Sequence, residues 1–97
     1  MLKIIATAYV ANCLGCSGIT ASGLRADHRK HYIASSSYWS FGTCVELKIE
    51  DKWVRYTIQD RGPHKKNHFD ILVSSKKEAV EWGVREIPAR ICATKKK

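Results

Sequence analysis

Apolar residues recur at every second position along several short stretches of the chain, the period of a strand with one buried face. Cys44 to Ile49 and Trp53 to Ile58 both alternate in this way, and Glu50-Asp51-Lys52 between them predicts a β-hairpin. "LKIIATAYV" near the start is rich in β-branched and aromatic side chains and predicts a first strand; "HYIAS" and "FDILV" predict two more. "NCLGCSGITASG", with its small residues and three glycines, predicts a loop, and "SSSYWSFG" a turn that carries Tyr38 and Trp39. The helical signal is confined to "SSKKEAVEWG". There Ser75 and Glu78 have the spacing of a capping box, in which each side chain satisfies a free backbone donor, and Gly83 suits the far end. Ile87, Ala89 and Ile91 then alternate with Glu86, Pro88 and Arg90, which predicts a last strand, placed at a sheet edge because proline cannot donate to a ladder. About six short strands and one short helix make a mainly β chain, and such a chain closes most naturally as a small barrel.

Length makes this one domain over residues 1–97, with no internal linker or repeat. A hydrophobic content of 44% excludes a disordered chain, which lacks the apolar area to offset its backbone entropy. Seventeen Lys and Arg against nine Asp and Glu give a net charge of +8, a field that draws polyanions: nucleic acid, anionic lipid or an acidic wall polymer. The run Lys95-Lys96-Lys97 reads as a solvated tail. "MLKIIATAYV" is apolar only briefly before Asn12 and Cys13, so neither a signal peptide nor a membrane-inserting span is visible. The expectation is a protein made in the cytoplasm, or a mature form whose leader has been replaced by Met1.

Chemistry concentrates between Thr57 and Leu72, where two of the nine acids, Asp60 and Asp70, stand at the ends of a basic loop. Aspartates at strand ends ordinarily cap turns. The functional reading is a carboxylate pair brought to one barrel edge by a hairpin-like return of the chain. Glycoside cleavage needs such a pair, because the leaving sugar oxygen must receive a proton while positive charge develops on the ring. Burial or a neighbouring negative charge would raise the pKa of one carboxyl and let it act as the acid.

"DRGP" at Asp60 to Pro63, followed by Phe69-Asp70 and a helix, resembles the double-psi β-barrel domains of rare lipoprotein A, the expansins, the three-aspartate (3D) domain and membrane-bound lytic transglycosylase A. "ATAY" at Ala6 to Tyr9, "ITASG" at Ile19 to Gly23 and "FGT" at Phe41 to Thr43 agree in order and approximate spacing, so the resemblance covers nearly the whole chain. It implies a double-psi barrel that acts on cell-wall glycan. In the transglycosylases the counterpart of Asp70 is the single acid and base. It protonates the glycosidic oxygen and then takes the proton of the sugar's own primary hydroxyl, leaving an anhydro-muramyl end without consuming water. Asp60 matches the supporting aspartate, and Thr7, Tyr9, Thr20 and Ser22 are implied to lie near the groove. One departure stands out: where the three-aspartate family carries an acid before its "GT" turn, this chain has Ser35 or Ser36. Ser36 is expected to hydrogen-bond the remaining pair without bringing charge.

Tyr38 and Trp39 fit a sugar platform, or alternatively the core. Arg61, His64, Lys65, Lys66 and His68 flank the site, where they would meet substrate and its carboxylates. A rival reading takes Cys13, Cys16, His28 and His31 as zinc ligands in a nucleic-acid-binding module, since two thiolates and two imidazoles suit tetrahedral zinc. The histidine spacing is short for a finger, however, and a finger leaves "DRGP", "ITASG" and "FGT" unexplained. The cysteines are otherwise expected as a Cys13–Cys16 bridge or as buried free thiols at Cys44 and Cys92. The leading expectation is a monomeric lytic transglycosylase of peptidoglycan that needs no cofactor, of the size and charge of a phage lysis enzyme. The alternative is a non-catalytic, expansin-like barrel that binds wall glycan in the same groove.

Overall fold

A computed structural model of the chain describes residues 2–11 and 18–92. The alternating stretches form strands β1 (Leu2–Tyr9), β2 (Tyr32–Ser35), β3 (Cys44–Ile49), β4 (Lys52–Arg61), β5 (His68–Leu72) and β6 (Arg85–Ile91), with helix α1 (Lys76–Trp82) between the last two. They close into a barrel in the order β1-β5-β2-β4-β3-β6. The pairs β1–β5 and β2–β4 are parallel and the other four antiparallel. This is the double-psi barrel with one short helix.

Inward-facing residues fill the barrel: Ile4, Ala6, Ile33, Val45, Leu47, Tyr56, Ile58, Phe69, Ile71 and Ala89 form one buried cluster. Each fully buried Ile, Leu or Phe contributes about 1.5–3 kcal/mol by leaving water. Trp39 packs on Phe69 with ring centroids 5.8 Å apart and donates its indole N–H to the Lys66 carbonyl at 2.7 Å. Trp82 packs on the same cluster from α1 and donates to the Ala6 carbonyl at 3.0 Å. Each indole thus buries its body while its polar edge finds a carbonyl.

Several local expectations change in detail. The hairpin turns on two residues, Glu50 and Asp51, both at positive φ (51° and 69°), and Lys52 already pairs with Ile49 in the sheet. Two consecutive left-handed residues match the right-handed twist of the flanking strands. At α1 the Ser75 hydroxyl accepts from the Glu78 N–H at 3.2 Å, but the Glu78 carboxylate reaches Ser74 rather than Ser75, bonding both its N–H (3.0 Å) and its hydroxyl. Pro88 does not mark an edge, since β6 lies between β1 and β3. It is tolerated because the β3–β6 ladder stops one residue away, at Leu47↔Ala89.

Cys44 and Cys92 are not free thiols: they form a disulfide with Cα atoms 5.3 Å apart, closing a sequence separation of 48. The Cys92 N–H also donates to the Cys44 carbonyl at 3.0 Å, so the bridge continues the β3–β6 seam beyond its last strand pair. Cys13, Cys16 and Lys95 to Lys97 lie outside the described residues.

Candidate functional site

One row of strand register builds the site. Asp60 on β4 pairs with Ala34 on β2, Ala34 with Asp70 on β5, and Asp70 with Thr7 on β1. Asp60 and Asp70 therefore flank a small side chain, with Cα atoms about 10 Å apart, two interstrand spacings. The two aspartates sit inside strands rather than at the ends of a hairpin-like loop, and β4 and β5 do not pair: β2 runs between them.

A β-bulge puts Asp60 on the outer face. Ile33 pairs with Ile58, but the next residue, Ala34, pairs with Asp60, so Gln59 is the extra residue. In an unbroken strand Asp60 would share the face of Ile58 and point into the core; the bulge turns it outward, beside Ala34 and Asp70. The bulge is held by the turn of "ITASG". The Ser22 N–H donates to the Gln59 carbonyl at 3.0 Å, and the Ala21 N–H to Asp60 Oδ1 at 2.8 Å.

The two carboxylates differ in environment. Asp60 is anchored at both oxygens: Oδ1 accepts from the Ala21 and Arg61 N–H groups (2.8 and 2.9 Å), and Oδ2 from the Tyr9 hydroxyl (3.0 Å). Burial, then the Asp60 charge and hydrogen bond, hold the Tyr9 hydroxyl protonated, well above its usual range. Asp70 Oδ1 accepts from the Thr7 hydroxyl at 2.9 Å. A hydroxyl has one proton, so the Thr7 oxygen must in turn accept from His68 Nε2, 2.8 Å away. The result is a chain from His68 through Thr7 to Asp70.

Burial raises the pKa of Asp70 above the ordinary carboxyl value, and the charge of Asp60 adds to this; the Thr7 hydrogen bond and the proximity of His68 act the other way without cancelling it. Asp70 Oδ2 faces Gly62, where an added Cβ would sit 3.9 Å from that oxygen and 3.4 Å from Ala34 Cβ. Gly62 thus lies over the buried Ala34, beside the carboxyl.

Other expected site residues occupy supporting places. Thr20 is buried, bonding Ser22 Oγ through its hydroxyl at 2.9 Å and accepting from the Leu24 N–H at 3.1 Å; it shapes the turn that anchors Asp60. Ser36 does not bond the aspartates: its hydroxyl accepts from the Tyr38 N–H at 3.2 Å. Ser35 is fully buried and donates to the Ser36 carbonyl, because it follows the barrel wall rather than the trough. Arg61 stacks its guanidinium 3.9 Å from the Phe41 ring centroid and donates to Ser35 Oγ at 3.4 Å. Ser35, Ser36 and Ser37 face Arg61 to His64 across a cleft of about 240 Å³ that opens beside Gly62. Tyr38 is exposed and meets Trp39 edge-on at 5.0 Å. His28 lies in a single 3₁₀ turn (His28–Lys30), and His31 ends it with Nδ1 3.1 Å from the Arg55 carbonyl. Among the described residues no group of three or more His, Cys, Asp or Glu is placed to hold a metal ion.

Sequence reasoning missed Ala21, Ala34, Gln59 and Gly62. Ala21 and Gly62 lie inside the "ITASG" and "DRGP" motifs, where only the side chains had been weighed. Ala34 and Gln59 carry no chemical signal, since one acts by being small and the other by being extra.

No family model matches the sequence. The cell wall-binding protein YocH of Bacillus subtilis (strain 168) is 29% identical over 93 residues, which cover 93% of this chain and 32% of that protein. The apo expansin of Clavibacter michiganensis superposes with a TM-score of 0.69 at 18% identity, over 98% of this chain and 52% of that one. An aspartate-to-asparagine mutant of the Clavibacter michiganensis expansin, in complex with cellohexaose, gives 0.65 at 14% identity, with coverages of 98% and 52%. The Streptomyces papain inhibitor gives 0.65 at 18% identity over 95% of this chain and 96% of that one. The chain spans about a third of the curated relative and about half of the expansin. At these identities what the chain shares with the solved structures is the fold, the closed barrel also found in an expansin and in a papain inhibitor.

Proposed function

We propose that the barrel binds a cell-wall glycan strand in a trough that runs past Gly62 between Asp60 and Asp70. The observation that carries this reading is the register row itself, which sets two carboxylates on one face around a small side chain. Asp60, with the Tyr9 hydroxyl bound to it, offers fixed polar groups to sugar hydroxyls, and Asp70 offers Oδ2 on the side of Gly62. The wall-binding relative supports this reading, as does the cellohexaose complex of an expansin that shares the barrel fold. Peptidoglycan is the glycan proposed here.

A second reading, cleavage of the strand, is favoured by one observation: Asp70 is the carboxyl whose pKa burial raises. In its neutral form Asp70 donates a proton to the glycosidic oxygen as that bond breaks. Its carboxylate then takes the proton of the sugar's primary hydroxyl as the hydroxyl oxygen bonds to the anomeric carbon, which restores the acid and leaves an anhydro end. Thr7 occupies Oδ1 as a donor, so the transferable proton sits on Oδ2, toward the trough.

Incubation with isolated peptidoglycan, followed by pelleting and mass spectrometry of the soluble fraction, tests both readings. Asp70→Asn and the unaltered protein should both pellet with the wall. Anhydro-muramyl ends released only by the unaltered protein would establish cleavage, and wall binding without fragments from either would leave the binding barrel alone. Failure of both proteins to pellet, with the fold intact by circular dichroism, would refute the glycan trough.

A further inference from the structure

The path along the outer face of β1 and β5 changes character as it leaves the aspartates. From Thr7 and Asp70 it passes Ile5 and His68, which are register partners, and reaches Lys3 and Asn67. There Lys3, Ile4, Tyr38, Trp39, Lys66 and Asn67 line a second cleft of about 130 Å³. Lys3 is four residues from Thr7 on one strand, hence about 13 Å from it. The cleft combines two aromatic side chains with two ammonium groups.

Among the described residues neither Lys3 nor Lys66 forms an ion pair. All nine side-chain carboxylates lie among the described residues, and the ion pairs they form there are made with Arg29, Arg55 and Arg90. No carboxylate lines the cleft. Lys66 Nζ rests 5.0 Å from the Tyr38 ring centroid, and the Lys66 carbonyl accepts from the Trp39 indole, so the backbone that carries one ammonium is fixed to the aromatic wall. A neutral sugar would need the rings but not the lysines.

We propose that this cleft takes a carboxylate carried by the bound strand, with the sugar ring against Tyr38 and Trp39 and the acid between Lys3 and Lys66. The inference rests on the glycan-trough reading and narrows it to a substrate class, anionic rather than neutral glycan. It also gives the groove a direction, because the cationic end lies on one side of the Asp60–Asp70 row only. The carboxylate belongs either to the sugar, as a lactyl group, or to a peptide attached to it; the chemistry recognised is the same.

The test uses three preparations of wall strands: strands bearing peptide stems, strands stripped of stems so that lactyl carboxylates are free, and stripped strands whose carboxyls have been reduced to alcohols. Binding is measured by calorimetry and tryptophan fluorescence, with Trp39→Phe assigning the signal. An exposed ion pair contributes at most a few-fold to affinity, so two give about a tenfold preference for the carboxylate strand over the reduced one. The Lys3→Gln/Lys66→Gln double variant should lose that preference and bind the reduced strand as the unaltered protein does. A preference limited to stem-bearing strands assigns the carboxylate to the peptide, and one kept on stripped strands assigns it to the sugar. Equal affinity of the unaltered protein for carboxylate and reduced strands overturns this inference while leaving the trough intact, as does a preference that survives in the double variant. Absence of binding to every strand overturns both.

Discussion

Gly62 separates what the fold needs from what the trough needs, so Gly62→Ala is the most informative single change. Gly62 is not among the glycines with positive φ, and an added Cβ would meet Ala34 Cβ at 3.4 Å, an ordinary contact. Alanine therefore fits the folded backbone while restricting the unfolded chain, which stabilises by about 0.4–1 kcal/mol. For a domain of this size that is a rise in Tm of about 2–8 °C. The same methyl would stand 3.9 Å from Asp70 Oδ2, on the side from which a sugar oxygen must approach to within about 2.6–3.2 Å. A displacement of about 1 Å at a reacting centre costs on the order of 100-fold in rate, and wall binding should weaken with it. Thermal melts by circular dichroism, wall pelleting and fragment analysis measure the two effects separately. A lowered Tm would refute the backbone argument. A raised Tm with unchanged binding and cleavage would show that Oδ2 is not the working edge of the site.

The remaining predictions concern the disulfide and the titration of the site. Replacing Cys44 and Cys92 by alanine opens a loop of sequence separation 48 and should cost ~4 kcal/mol through unfolded-chain entropy, read as a lower urea midpoint with a steeper slope, because the unlinked chain exposes more surface when unfolded; a change under about 1 kcal/mol would refute the closure argument. Because burial raises the pKa of Asp70, the folded state holds more protons than the unfolded state from the ordinary value of 3.8 upward, and stability from this group falls as pH rises through that window. Asp70→Asn should therefore be the more stable protein at neutral pH, with the gap closing below pH 3.8; Asp27, Glu46 and Glu78, held low by their partners, titrate alike in both proteins and cancel. A constant gap across pH would argue against a perturbed Asp70. Thr7→Val removes the hydroxyl that favours the charged form, so the Asp70 pKa rises further and the alkaline limb of any cleavage profile moves to higher pH. An unmoved limb would place the titrating group elsewhere.

Much of the site's chemistry was legible in the chain, and its assembly was not. Asp60 and Asp70 stood out because acids are few in a basic chain, and "ITASG" because small residues and glycine announce a tight turn. The contact between them, Ala21 N–H to Asp60, joins residues 39 apart through a backbone group that no side-chain pattern reveals. Ser36 was expected to touch the aspartates, yet it turns to the Tyr38 N–H, because a serine hydroxyl readily satisfies itself on nearby backbone. His68 was expected beside the site, but not its partner; parallel pairing with β1 brings it to Thr7, which lies 61 residues away.

The sequence by itself determined the number and kind of elements, for a physical reason: the period of two, the β-branched content and the Ser75 cap act over a few residues and can be read locally. Only the tertiary structure decided strand order, register and cross-links. The insertion of β2 between β4 and β5, the Gln59 bulge that turns Asp60 outward and the Cys44–Cys92 bridge depend on which distant surfaces pack together. A shift of one residue in register moves a side chain to the opposite face of a strand. At Asp60 that shift separates a carboxylate aimed into the core from one aligned with Asp70 across the trough.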